Sequence, residues 1–313
     1  RLNTRVGVDI TLEDLNRQGY KAVFIAVGAH VGQELGIPGE DLDGVVSATD
    51  FLRQVNLGQL REVGRRVAVV GGGNAAIDAA RTALRMGAKE VHILYRRTRE
   101  EMPAEPGEVQ EAEKEGVKIH YLTAPSSIIG KDGRVSKMEC VRMVLGDFDR
   151  TGRRRPVPVA GSEFTVDVDM VIPAIGQKSD LSFMPEGSEA AVTRWATLVA
   201  DPKTFEVAGM RGVFAGGDCV TGPDTVVSAI GQGRKAAIQI DKFLGGDGVL
   251  PVHPDLGREL AGDIIEKETP RVATNHLPIE RRCPGFAEVD LGFTEDQALA
   301  EASRCLRCDI KEG

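Results

Sequence analysis

Four apolar residues, a glycine turn and the start of a helix follow one another in Val67-Ala-Val-Val-Gly-Gly-Gly-Asn-Ala-Ala-Ile-Asp-Ala-Ala-Arg81. No other feature limits the fold as tightly. The pattern predicts a buried strand, a tight turn and a helix whose N-terminus faces an anion. Gly71 allows the turn, Gly73 lets the backbone approach a diphosphate, and Ala76 is small enough for helix and strand to pack closely. Free amides in the first turn, at Asn74, Ala75 and Ala76, together with the positive end of the helix dipole, complete a phosphate site without a charged side chain. A second apolar strand, Val91-His-Ile-Leu-Tyr95, supplies the context that a bare GxGxxA pattern lacks.

The end of that second strand selects the nucleotide. A site for NAD places a carboxylate there to accept hydrogen bonds from the ribose hydroxyls. This chain has Tyr95-Arg96-Arg97 instead. Two guanidiniums match a 2′-phosphate, and no carboxylate repels it, so NADP(H) is expected over NAD(H). The alternative is a solvated basic turn in which Arg96 and Arg97 pair with Glu100 and Glu101.

At 313 residues the chain exceeds the size of a single core, and two or more domains are expected. A formal charge of −8, with arginines gathered only at Arg65-Arg66, Arg96-Arg97 and Arg153-Arg154-Arg155, offers no field for nucleic acid. No apolar run approaches the roughly 20 residues that span a bilayer, and the first residues do not resemble a signal peptide. The reading is a soluble, cytoplasmic protein with no membrane and no nucleic-acid partner. Five cysteines lack the spacing of a disulfide framework, and Cys283, Cys305 and Cys308 gather near the C-terminus.

Taken in order, Thr11 caps a short helix ended by Gly19, a strand runs over 22–27 to the turn at Gly28-Ala29, and a helix covers 48–55. The nucleotide helix runs to about Met86 and stops at Gly87. Helix 108–115 closes at Gly116, and the strand 117–122 follows. Lys131-Asp-Gly-Arg134 predicts a hairpin between antiparallel strands, and 166–175 reads as one further buried strand ending at Gly176. The pattern fits a nucleotide-binding unit with an appended antiparallel meander. Asp78 is expected to hold Arg81 or a neighbouring strand, His30 to be a solvated loop histidine, and Glu111, Glu113 and Glu115 to form a solvated helix face.

Gly212-Val-Phe-Ala-Gly-Gly-Asp-Cys219 is a second strand running into a glycine pair, followed by a long helix from Thr225 to Phe243. Gly217 makes the turn and Asp218 is placed to accept hydrogen bonds from a polyol. The helix beginning at Thr225 would aim amides at an electron-rich carbonyl or a forming anion, as at the pyrimidine end of a reduced flavin. An ordinary strand-to-helix turn with a capping aspartate is the other reading.

Gly71-Gly-Gly-Asn-Ala-Ala-Ile-Asp78, Tyr95-Arg-Arg97, Glu101-Met-Pro-Ala104 and Gly216-Gly-Asp218 together resemble the flavin oxidoreductases of the glutamate synthase small (beta) subunit type, within the pyridine nucleotide-disulfide oxidoreductase superfamily. The resemblance covers nearly the whole chain. It implies an α/β, two-dinucleotide-binding-domain (Rossmann-like) flavoprotein fold, with the NAD(P) domain inserted into a partial FAD domain. The segments would be 1–63 and 178–247 for the FAD domain, 64–177 for the NAD(P) domain and 248–313 for a C-terminal extension. It further implies that 23–28 and 171–176 are paired crossover strands, each ending in a glycine (Gly28, Gly176) at the interdomain cleft. Asn74 would face the cofactor, Asp218 would hold the FAD ribityl chain, and Thr225 would lie under the isoalloxazine.

Members of this group carry an earlier GxGxxG for the FAD diphosphate, preceded by a cysteine-rich iron-sulfur domain. Neither is present here, and the expectation is a chain that begins in the middle of the FAD domain, N-terminally truncated. Glu301-Ala-Ser-Arg-Cys-Leu-Arg-Cys308 resembles the group's helix-plus-CxxC element, making Cys305 and Cys308 candidate iron-sulfur ligands, with Cys283 as a third. The alternative there is an unoccupied motif of reduced thiols. Cys219 reads as a packed thiol and Cys140 lies alone in a strand; no CxxC lies within the nucleotide domain, so a thioredoxin-reductase-type dithiol is not expected. The implied activity is hydride transfer from NADP(H) to FAD, with electrons passing on to iron-sulfur centres, an electron-acceptor subunit or a ferredoxin-like protein. A non-catalytic NADP(H)-binding electron-transfer or docking subunit is the competing class, and a fragment that no longer binds FAD is the third reading.

Overall fold

The chain enters through α1 (Leu12–Arg17), fixed by a reciprocal cap in which Thr11 and Asp14 each accept the other's backbone N–H. A computed structural model describes residues 1–149, 152–188, 191–250 and 270–304. The chain divides into two compact units, Arg1–Val249 and Leu250–Gly313. In the first unit α1 leads to β1 (Val23–Ile25), β2 (Val31–Gly32) and α2 (Ala48–Asn56), whose N-cap is Ser47. There follow β3 (Arg66–Val70), α3 (Asn74–Arg85), β4 (Glu90–Leu94), α4 (Pro106–Lys114) and β5 (Lys118–His120).

Three antiparallel elements come next: β6 (Thr123–Lys131), β7 (Arg134–Phe148) and β8 (Arg154–Pro158). Asp132 and Gly133 both have positive φ, at +53° and +78°, the backbone a two-residue hairpin of type I′ requires. The first unit then adds β9 (Phe164–Asp167), β10 (Met170–Pro173), β11 (Gln177–Lys178) and β12 (Val213–Ala215). It closes with α5 (Asp218–Thr221) and the long α6 (Val226–Phe243).

A parallel sheet in the order β10-β3-β4-β5 forms the centre. β3 and β10 read as apolar runs because both faces are covered there, and the two-residue period assigns each side chain to one face. Val67, Val69, Val91, Ile93 and Ile172 join Phe51, Ile77 and Val109 in a core under α2, α3 and α4. Ala68, Val70, Leu94 and Val171 point the other way, into a core with Ile128, Met138 and Cys140 of the meander. The meander therefore roofs the second face of the sheet, where a further layer of helices could have stood. A separate core gathers Leu12, Ile25, Leu198, Val207 and Cys219 around the parallel pair β1 and β12.

Two expectations about strands are corrected. The apolar run 166–175 is not one strand. Its first part pairs antiparallel with β7, while its second joins β3 in parallel. The break falls at Val168 and Asp169, where the Asp169 carboxylate accepts the Arg66 N–H at 2.9 Å and steps the chain from one sheet to the other. Nor do the two crossover strands pair with each other. Each is claimed by its own sheet, and the antiparallel crossing occurs just beyond both glycines, between β2 and β11.

The glutamate run on α4 is corrected as well. The Glu115 side chain is fully buried (0% exposed) and receives the guanidiniums of Arg81 and Arg85 at 2.9 Å each. Arg81 also pairs with Glu108, so its partners lie on the neighbouring helix and not at Asp78. Burial pushes the Glu115 carboxyl up, but the hydrogen bonds from Arg81 and Arg85 outweigh it and hold it below the ordinary range. Glu113 pairs with Arg99 in the more exposed manner expected of a helix surface, and Glu111 pairs with Lys114 although its own side chain is only 13% exposed.

In the second unit α7 (Glu295–Ser303) carries a capping box between Thr294 and Gln297. Cys305 and Cys308 lie outside the described residues. Among the described residues no helix is long and apolar enough to cross a membrane.

Candidate nucleotide site

The carboxyl ends of β3, β4 and β10 open into a cavity of about 680 Å³, within the range usual for cofactor pockets. Each wall follows from local sequence. Gly71, at φ +149°, turns the chain off β3 beside Ala174, which continues β10. A side chain at Gly72 would meet the Tyr95 ring at 2.5 Å, so the glycine lets Tyr95 pack beneath the turn. Tyr95 in turn donates its hydroxyl proton to the Glu101 carbonyl at 2.6 Å.

Gly73 is different. Its φ is −89°, and a Cβ there would meet nothing within 4 Å, because the space beyond is the cavity itself. It is also the N-cap of α3, and no side chain caps that helix, whereas Thr11, Ser47 and Thr225 cap α1, α2 and α6. An uncapped N-terminus facing a cavity presents donors and a positive dipole end to an anion. The three expected amides do not contribute alike. Those of Asn74 and Ala75 lie at the cavity wall, but Ala76 donates to the Gly73 carbonyl at 2.9 Å and its methyl is buried in the core. Asn74 lines the cavity, and its side-chain carbonyl accepts the Glu105 N–H at 2.9 Å, tying the first turn of α3 to the loop before α4.

At the far wall Arg96 and Arg97 separate. Arg96 is exposed and lines the cavity. Arg97 is 6% exposed, also reaches the cavity wall, and is engaged: its Nε donates to the Arg154 carbonyl at 2.9 Å and its guanidinium pairs with Asp149 at 3.4 Å. Arg97 thus finds its carboxylate neither at Glu100 nor at Glu101. Glu101 instead closes a capping box with Thr98.

Gly71, Gly73, Asn74, Ala75, Arg96, Arg97 and Gly176 therefore share one cavity. Gly217, Asp218 and Thr225 are not in its wall, though Pro223, between them, touches its edge. The Gly217 N–H donates to Gln232 Oε1 at 2.9 Å, and the Thr225 hydroxyl accepts the Ser228 N–H at 3.2 Å. Thr225 caps its own helix, so the N-terminus of α6 is not bare like that of α3. Cys219 is a buried thiol in contact with the carbonyls of Ile25 and Gly216, and burial pushes its pKa up. Burial raises the Cys140 thiol to about 12. Both thiols are buried, and Cys219 is the packed thiol expected.

Arg153, Thr123 and Gln33 also line the cavity and were not foreseen as site residues. For Arg153 a signal existed in the Arg153-Arg154-Arg155 run. Thr123 and Gln33 carry none, because they arrive through strand register and a crossing far away in sequence.

The model of the family described as pyridine nucleotide-disulphide oxidoreductase matches residues 3–233. The β subunit of the NADP(+)-dependent formate dehydrogenase of Moorella thermoacetica is 46% identical over 98% of this chain and 45% of its own. The small chain of the NADPH glutamate synthase of Azospirillum brasilense is 40% identical over 80% of this chain and 54% of its own. The chain spans about half the length of these curated relatives. Among solved structures, the His57Gln mutant of FprA from Mycobacterium tuberculosis superposes with a TM-score of 0.63 at 21% identity, covering 77% of this chain and 67% of that one. That likeness is one of fold.

Proposed function

Because the chain belongs to the pyridine nucleotide-disulphide oxidoreductase family, we propose that its cavity binds NADP(H) and that the chain works as the pyridine-nucleotide half of a flavin oxidoreductase. The observation that carries this is the uncapped N-terminus of α3 facing the cavity, with an exposed arginine and no carboxylate directly at the end of β4. The names of two relatives, an NADP(+)-dependent dehydrogenase subunit and an NADPH synthase chain, support the same nucleotide.

In this reading the amides of Asn74 and Ala75 bind the diphosphate and Gly73 leaves room for it. Arg96 and Arg97 stand at the 2′-phosphate end. Gly176 keeps the opposite wall close, since a side chain there would crowd Gln33. No side-chain acid or base is required of the protein, whose part is to bind and orient. FAD, when bound, supplies the hydride acceptor. Asp218 would hold its polyol, and the exposed Val226 and Val227 at the start of α6 would offer it apolar surface. To that site the chain would contribute the segment 178–247 and the parallel strand pair β1 and β12. Cys305 and Cys308, with Cys283, are proposed to serve an iron-sulfur centre, and the electrons to leave for an acceptor subunit or a ferredoxin-like protein. The relatives' names as β subunit and small chain support a partner.

The test is the purified full chain under anaerobic conditions. A visible flavin band that NADPH bleaches is the expected result. A colourless protein that binds NADPH would make it a nucleotide-binding docking subunit, and absence of nucleotide binding would overturn the reading altogether.

A further inference from the structure

The β7 to β8 hairpin does more than cover the sheet. Strand β7 is 15 residues long, and only its first part is held on both edges, by β6 and β9. Its outer part, from Met143 to Phe148, pairs with β8 beyond the reach of β6 and β9. The tip returns to the end of β4 through one carboxylate. Asp149 Oδ1 accepts the Arg153 N–H at 3.1 Å, while Oδ2 pairs with the buried Arg97 at 3.4 Å. The Asp149 N–H donates to the Arg153 carbonyl at 2.7 Å, and Arg97 Nε donates to the Arg154 carbonyl at 2.9 Å. These four contacts fasten the tip beside the cavity.

The three arginines of the tip are thereby sorted. The Arg154 guanidinium turns back along the hairpin to the carbonyls of Leu145 and Gly146. Arg155 is exposed and outside the cavity wall. Arg153 alone among them lines the cavity, on the same wall as Tyr95, Arg96 and Arg97. Burial pushes the Tyr95 phenol up, and Arg97 and Arg153 both oppose that shift, which places the Arg153 charge near the ring. Charge matching then decides which groups an incoming phosphate meets. The charge of Arg97 is answered by Asp149, whereas no carboxylate among the described residues of the cavity wall answers Arg96.

We propose that Arg153 is a specificity-determining residue for the dinucleotide 2′-phosphate, acting with Arg96, and that Asp149 and Arg97 are positioning residues that hold the hairpin tip so Arg153 can reach it. The proposal rests on the NADP(H) reading above. It assigns to a hairpin arm, some 57 residues downstream of the β4 turn, a part of the selectivity that the turn alone was expected to carry.

The experiment is equilibrium titration of the full chain with NADPH and with NADH at one fixed salt concentration, since phosphate contacts by arginine are screened by salt. Replacement R153Q is expected to lower the NADPH preference about tenfold, the scale of a charge-assisted hydrogen bond, and to leave NADH within about twofold. R153K should restore part of it. R155Q removes the same charge two residues away and should change nothing. D149N should lower the preference in the parent chain and have little further effect in R153Q. If R96Q lowers the preference while R153Q does not, or if R155Q matches R153Q, the hairpin arginine has no such role. An undiminished D149N effect in the R153Q chain would overturn the positioning part. If neither R96Q nor R153Q alters the preference, the 2′-phosphate reading itself fails.

Discussion

Replacing Glu115 by alanine is expected to destabilise the chain by about 3–5 kcal/mol, the cost of leaving buried charges without their partner. The Glu115 side chain is fully buried, and those of its two guanidinium partners, Arg81 and Arg85, are only 14% and 10% exposed. Both arginines sit on α3, so the carboxylate clamps α4 to the helix that bears the nucleotide turn. The isostere E115Q keeps the shape and loses the charge, and should cost less. The pH dependence has a definite sign. The folded carboxyl lies below its ordinary value of 4.5, so the stability it adds is present above that value and is lost as pH falls through the folded one. The gap between parent and E115Q should therefore close in acid. Denaturant titrations from neutral pH down to about pH 3 read both effects. An E115A chain within about 1 kcal/mol of its parent would show that the triad does not hold the helices together.

Two glycines of the same turn should fail in different ways. A Cβ at Gly71 would fall on the Ala174 carbonyl, 2.8 Å from its carbon, at a φ of +149°. G71A therefore strains the backbone by about 1–3 kcal/mol and pushes apart the ends of β3 and β10, lowering the melting temperature and NADPH affinity together. At Gly73 the φ is ordinary and the added methyl would enter open cavity. G73A should melt like the parent yet bind NADPH at least about tenfold more weakly. Thermal melts beside nucleotide titrations separate the two. Equal melting temperatures for G71A and the parent would contradict the close approach to Ala174, and unchanged affinity in G73A would remove the diphosphate from that space.

What the sequence made legible follows from how local each signal is. The turn at Gly71, the stop of α3 before Gly87 and the hairpin at Asp132-Gly133 depend on backbone conformations that few residue types permit, and all stand where the residues place them. The apolar run 166–175 misled because continuous hydrophobicity cannot show which of two sheets a strand joins; Asp169, capturing the Arg66 amide, decides that. Glu115 looked like its solvated neighbours, since only the packing of α4 on α3 reveals that this carboxylate faces inward. Arg97 looked like the twin of Arg96. Their division of labour depends on Asp149, a residue on a distant hairpin that no local pattern links to the β4 turn.

Whether the cavity above β3 and β4 is an NADP(H) site is decided by the affinities of the full chain for NADPH and for NADH. NADPH is expected to bind at least about tenfold more tightly, and replacing Arg96 and Arg97 together with glutamine is expected to weaken NADPH much more than NADH. Equal affinities in the parent chain, or an equal loss for both nucleotides in the double variant, would contradict it.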